Sequence, residues 1–257
     1  MDSRSGFDNT GKAVSGHPEP QDASLPNGRL PLPPWDMYTV AVSLFAGYIL
    51  LPLLVSNIVL LLNPFLSRPM ELLVQQLTTV FSWGLIFGIL QLRYGGLAQY
   101  LGLRVPNNMR YFLWETIKLL VVTAGVLILL TALWALLQAR GWSFSMGEPY
   151  ADASRAELLV LFSFAVIFAP VLEELIFRGL VQSTFYKVAT PTAAVIFTSM
   201  VFLLLHGSYY TNLRALLSVL ALGLCFGIWR ERTQSLLPGI VVHLTNNILA
   251  SLLMLFR

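Results

Sequence analysis

The chain has 257 residues, of which 56% are hydrophobic and 11% charged, and its mean hydropathy is +0.70. Water-soluble domains carry about 25% charged residues, so this composition cannot clothe a water-facing surface. The net charge of +3 comes without any basic run interleaved with aromatics, which excludes a nucleic-acid footprint and leaves the scattered arginines as topology signals and headgroup contacts.

Residues 1–36 are rich in Gly, Pro, Ser, Asp and Asn and end in Pro31-Leu32-Pro33-Pro34-Trp35. This composition predicts a disordered tail with a stiff proline exit, and it lacks the charge and apolar pattern of a cleavable signal peptide. Residues 37–257 hold seven apolar stretches: Met37 to Leu62, Leu72 to Leu92, Tyr111 to Leu137, Leu158 to Val188, Pro191 to His206, Leu213 to Trp229 and Leu236 to Phe256. Crossing a hydrocarbon core of about 30 Å takes roughly 20 residues of helix. The fold class expected is therefore all-α, a polytopic transmembrane bundle of seven or eight helices around a polar intramembrane cavity. The fourth stretch is too long for one crossing, and a break near Arg178-Gly179 with an interfacial continuation is expected there.

Counting Lys and Arg at alternate ends, a cytoplasmic N-terminus gathers Arg93, Arg104, Arg110, Lys187, Arg230 and Arg232 with the tail on one side. Arg68, Arg140, Arg155 and Arg214 then fall on the other. The localisation expected is a multi-pass integral membrane protein, in the cell (plasma) membrane, with its N-terminus inside. Trp35, Trp142 and Trp229 lie near segment ends, where indole rings anchor at the interface. Cys225, the single cysteine, sits in an apolar run and reads as a small buried hydrophobe.

Ionisable groups within membrane segments cost roughly 2.5–3.5 kcal/mol each on insertion scales and mark function by default. Glu115 and Lys118, at i and i+3, can pair structurally. The rest concentrate in the last hundred or so residues: Glu173, Glu174, Arg178, His206, and His243 with Asn247. Glu174 and Arg178 at i,i+4 share a helical face and can hold one another in a low dielectric. Glu173 points roughly 100° away and can face a cavity, where desolvation would raise its pKa toward that of a general base. His243 and Asn247, also i,i+4, project together.

A carboxylate and a histidine can orient and deprotonate water, while a second histidine and an amide stabilise the oxyanion. No Ser or Cys at comparable spacing suggests a covalent nucleophile. Two carboxylates with two histidines could instead bind zinc, although no His-Glu-x-x-His helix is present. Singly, an i,i+4 ion pair is commonly structural, and an intramembrane His can serve as a helix–helix hydrogen bond. Three segments that each carry such groups outweigh those readings.

At these residues the sequence resembles the CPBP family of CAAX prenyl proteases and bacteriocin-processing or self-immunity proteins, glutamic-type intramembrane endopeptidases. The shared pattern is Glu173-Glu174-Leu-Ile-Phe-Arg178, then Phe202-Leu-Leu-Leu-His206, then His243-Leu-Thr-Asn-Asn247, within residues 155–250. The resemblance implies an intramembrane endopeptidase that hydrolyses a peptide bond in a membrane-associated protein or peptide, lipidated or not. In it Glu173 would activate water with His206 beside it, His243 and Asn247 would form the oxyanion site, and Glu174 with Arg178 would support them. The partners implied are that substrate and the lipid bilayer, with no nucleic acid and no cofactor. A zinc-dependent version would use Glu173, His206 and His243 as ligands. The alternatives outside this class are a non-catalytic immunity or scaffold protein and, behind it, a transporter, for which Pro238-Gly239 would mark a discontinuous helix.

Overall fold

The computed structural model describes residues 30–63, 65–104, 108–142, 152–210 and 212–255, and among these it contains helices and no strand. Five helices are long and apolar enough to cross a membrane: Met37–Val59, Arg68–Tyr94, Met109–Ala139, Leu213–Thr233 and Leu237–Met254. The pair Arg155–Ile167 and Ala169–Phe185 makes a sixth span if counted as one bent helix. Pro191–Leu204 is also helical, with 14 residues, about 21 Å at 1.5 Å per residue. Among the described residues each of the seven apolar stretches lies mainly on helix, as a chain without water at hydrocarbon depth requires, since only helices satisfy their own backbone groups there.

The first span runs as α1 (Met37–Phe45), a π-helical turn (Ala46–Leu50) and α2 (Leu51–Leu62). Pro52 has no N–H to offer the Tyr48 carbonyl, and this missing bond sits at the seam between the two registers. Then come α3 (Arg68–Tyr94), the short α4 (Leu97–Leu101), α5 (Met109–Ala139), α6 (Arg155–Ile167) and α7 (Ala169–Glu173). A second π-helical segment (Glu174–Val181) leads into α8 (Gln182–Phe185), α9 (Pro191–Leu204), α10 (Leu213–Thr233) and α11 (Leu237–Leu255). Side-chain caps mark the starts: Asp36 before α1, Asn108 before α5, Thr190 before α9 and Asn212 before α10 each accept from a first-turn N–H. Ser154 and Glu157 form a reciprocal capping box on α6. The Thr39 backbone N–H and hydroxyl, both donating to Asp36, hold its carboxyl below the usual range.

Two sequence expectations need correction. The fourth stretch bends by 42° between Ile167 and Ala169, ahead of Pro170, rather than at Arg178-Gly179. The proline ring removes one backbone donor and crowds the preceding turn. The part beyond it is packed inside the bundle, where residues 176–184 are all buried. Trp35 and Trp229 are not interface anchors either. Trp35 is 1% exposed, packs on Tyr94 and Tyr100 and donates from Nε1 to Thr184 Oγ1 at 2.8 Å. Trp229 is buried and donates to the Glu115 carbonyl at 3.0 Å. Of the tail assigned to residues 1–36, residues 1–29 lie outside the described residues, and Trp35 belongs to the core.

The ends of the bundle sort as the Lys and Arg pattern grouped them. At one end Lys187 donates to the Trp35 carbonyl at 2.7 Å, Arg104 to the Gln234 carbonyl at 3.0 Å and Ser235 to the Arg104 carbonyl at 3.0 Å. Arg68 and Glu157 meet at 3.9 Å at the other. Glu115 pairs with Lys118 at 2.6 Å, as its spacing predicts, and also meets Arg232 at 3.5 Å.

Candidate active site

A polar stripe runs through the core on the second π-helical segment and α8. Glu174, Arg178 and Gln182 recur every four residues and are each 1% exposed or less. Arg178 meets Glu174 at 3.2 Å and donates from Nη2 to the Gly223 carbonyl at 3.1 Å. Gln182 donates to the Gly227 carbonyl at 3.0 Å. The two glycines share the stripe's spacing on α10, and their lack of side chains lets the helices approach: a Cβ on Gly227 would lie 2.9 Å from Val195 Cγ1 and 3.2 Å from Gln182 Oε1. The Arg178 guanidinium also lies over the Phe202 and Phe226 rings, 4.5 and 5.5 Å from their centroids.

This stripe positions the groups at the cavity. His243, on α11, stacks on Phe226 with centroids 4.9 Å apart and stands between the two glutamates. Its Nδ1 is 3.2 Å from Glu174 Oε1 and its Nε2 is 3.5 Å from Glu173 Oε2. Gly239 makes this possible, since a Cβ there would meet Glu174 Oε2 at 2.9 Å. The adjacent carboxylates have different surroundings. Glu174 is 1% exposed at its side chain and Glu173 20%, and Glu173 lines a cavity of about 580 Å³ with His206, His243 and Asn247.

His206 lies just past the end of α9, where its Nδ1 is 2.7 Å from the Phe202 carbonyl. A carbonyl can only accept, so Nδ1 carries the proton and Nε2 remains as the acceptor nitrogen. Its ring stacks on Tyr209 and packs against Phe202. Asn247 donates from Nδ2 to the Ala165 carbonyl at 2.8 Å, near the bend that Pro170 imposes, and among the described residues its other amide hydrogen and its oxygen have no partner.

The structure therefore brings Glu173, His206, His243 and Asn247 to one cavity and pairs Glu174 with Arg178, as the spacing predicts. It does not join Glu173 to His206 by a hydrogen bond or ion pair; the imidazole in reach of Glu173 is that of His243. Among the described residues, no three His, Cys, Asp or Glu side chains form a group arranged to hold a metal ion. Sequence reasoning missed Phe226 as the stacking platform, Gly239 as the gap for Glu174, and Gln182 with Gly223 and Gly227. The last three had a signal, a polar residue and two small ones repeating every four positions. Pro238-Gly239 marks no discontinuity, because α11 runs unbroken through Leu237–Leu255 with Pro238 in its first turn.

The C-terminal region is similar to a known family. Its matched model is Rce1-like, described as type II CAAX prenyl endopeptidase Rce1-like. Residues 155–249 match it. This bears out the resemblance carried by the three motifs, all of which lie within the matched residues, and the family is one of membrane-embedded proteases. The spans Met37–Val59, Arg68–Tyr94 and Met109–Ala139 lie outside the match. No curated protein and no solved structure matches the chain.

Proposed function

We propose that this integral membrane protein is an intramembrane endopeptidase that cleaves a peptide bond in a membrane-associated protein or peptide by direct attack of water. The observation that carries the reading is the split environment of two adjacent carboxylates. Glu174 is locked by Arg178 and His243, while Glu173 keeps contact with the cavity that the His206 imidazole also lines. A water held between Glu173 and His206 Nε2 loses a proton to Glu173, and the hydroxide attacks the scissile carbonyl. Asn247 would donate an amide N–H to the oxyanion that forms, with the imidazole of His243, beside Glu173, completing that site. The proton on Glu173 then passes to the departing amine. Glu174 and Arg178 are positioning residues that fix the imidazole of His243.

The finer reading has the substrate in or on the cell membrane, the N-terminus in the cytoplasm, and no metal in the step. A version using zinc would take Glu173, His206 and His243 as ligands and would lose activity to a strong chelator and regain it with zinc. The direct test places the full chain in vesicles with a farnesylated peptide ending in a CAAX sequence. Wild-type protein should release the C-terminal fragment, and Glu173→Gln should lower the rate at least about a hundredfold with an unchanged melting temperature. Activity retained by Glu173→Gln refutes the assignment. Comparing membrane-peptide termini in cells expressing the two proteins identifies the natural substrate, and phenotypic rescue by Glu173→Gln would favour the scaffold.

A further inference from the structure

The first two spans fall outside the family match, yet both put a polar side chain into the cavity. Tyr48 comes from the π-helical turn of the first span and Gln76 from α3, and both line the same cavity as Glu173, His206, His243 and Asn247. No protein group among the described residues hydrogen-bonds the Tyr48 hydroxyl or the Gln76 amide. Neither is among the buried polar atoms that lack a partner, so both present their hydrogen-bonding atoms to the cavity and to whatever enters it.

The Tyr48 ring is held in place. It stacks on Phe177 with centroids 6.4 Å apart and meets Trp83 edge-on at 5.2 Å. Trp83 is wholly buried and pressed against Gly47, where a Cβ would lie 2.5 Å from its ring. The π register, with Pro52 just beyond it, is a local departure from the α-helix of the sort that recurs at functional sites. It places a rigid phenol on the wall of the cavity. Gln76 adds an amide that both donates and accepts, the complement of a peptide group.

We infer that Tyr48 and Gln76 form a substrate-binding wall that hydrogen-bonds the main chain of an extended peptide lying along the cavity, with Tyr48 donating to a carbonyl and Gln76 pairing with a peptide group. The inference rests on the endopeptidase reading for its ligand, a polypeptide segment, and locates recognition in the half of the chain that carries no catalytic motif. Recognition of this kind is indifferent to the peptide's side chains, which leaves sequence selectivity to the apolar remainder of the cavity.

The test measures binding apart from turnover. The full chain carrying Glu173→Gln is placed in nanodiscs and titrated with a fluorescent farnesylated CAAX peptide, and with copies in which single backbone amides are replaced by esters. Adding Tyr48→Phe or Gln76→Leu should each raise Kd about five- to twentyfold, the size of one lost hydrogen bond. At one position an ester should weaken binding to the parent chain but cost nothing further in the Gln76→Leu chain. Non-additivity of that kind reports a contact to the peptide main chain, which a merely structural role would not produce. Unaltered Kd in both variants, ester penalties that persist unchanged in both, or no binding of the peptide to the parent chain would each overturn the inference. Should the variants weaken binding while the chain with Glu173 intact leaves the peptide uncut, the wall stands and the hydrolytic reading falls.

Discussion

At the scale of single residues, the site depends on which neighbour each carboxylate keeps. Glu174 Oε1 meets both Arg178 and His243, and its Oε2 occupies the space that the missing side chain of Gly239 leaves. A methyl group there would meet Glu174 Oε2 at 2.9 Å. That oxygen ends a flexible side chain, but turning the carboxylate also shifts Oε1 away from Arg178 and His243, and disturbing a buried ion pair is costly when one partner is left uncompensated. Gly239→Ala should therefore cut peptide cleavage at least about tenfold while the protein still folds, since His243 loses the contact that orients it. Gly88→Ala, where nothing lies within 4 Å of the added carbon, should leave the rate unchanged in the same assay. The i,i+4 spacing already pointed to the Glu174–Arg178 pair. The role of Gly239 was not legible, because it depends on how α11 crosses the second π-helical segment and no local pattern encodes that crossing.

At the scale of helices, α10 is tied to the catalytic segment by a repeated device: a buried donor from one helix meets a glycine carbonyl on the other, once at Gly223 and again at Gly227. Apolar side chains gain little by leaving lipid for protein, so close packing and interhelical hydrogen bonds carry much of the association between spans. A bulky residue at Gly227 would push α10 off both Val195 and Gln182. Gly227→Leu should lower the melting temperature in detergent and abolish cleavage. Gly125→Leu on α5, with open space around its position, should change neither. Reading apolar length from the sequence located the long spans, because about 20 apolar residues are needed to cross whatever the neighbours are. The bend between Ile167 and Ala169 was misplaced to Arg178-Gly179, although Pro170 stands next to the true site. Charge drew the expectation toward Arg178, while the bend follows from a missing backbone donor.

At the scale of the whole molecule, the residues that alternate counting assigned to one side do meet at one end. Lys187 bonds the backbone of Trp35, and Arg104 that of Gln234. The orientation proposed for that end is cytoplasmic, following the excess of Lys and Arg. In a Cys225→Ala background, a cysteine placed at Ser5 should react with a membrane-impermeant maleimide only after the cells are opened. One at Arg140, which is exposed beyond the end of α5, should react in intact cells, and the reverse pattern would invert the assignment. The amino-acid sequence by itself determined that the protein lives in a bilayer, that it is helical, and that Glu173, Glu174, Arg178, His206, His243 and Asn247 are the groups to watch. Each of those conclusions follows from local composition or spacing along one helix. Only the tertiary structure decided that His243 reaches Glu173 directly while His206 shares its cavity, that Trp35 closes the core, and that Tyr48 and Gln76 reach the same cavity. Those outcomes depend on where helices far apart in the chain pack against one another, and the distances that decide the chemistry arise at those crossings.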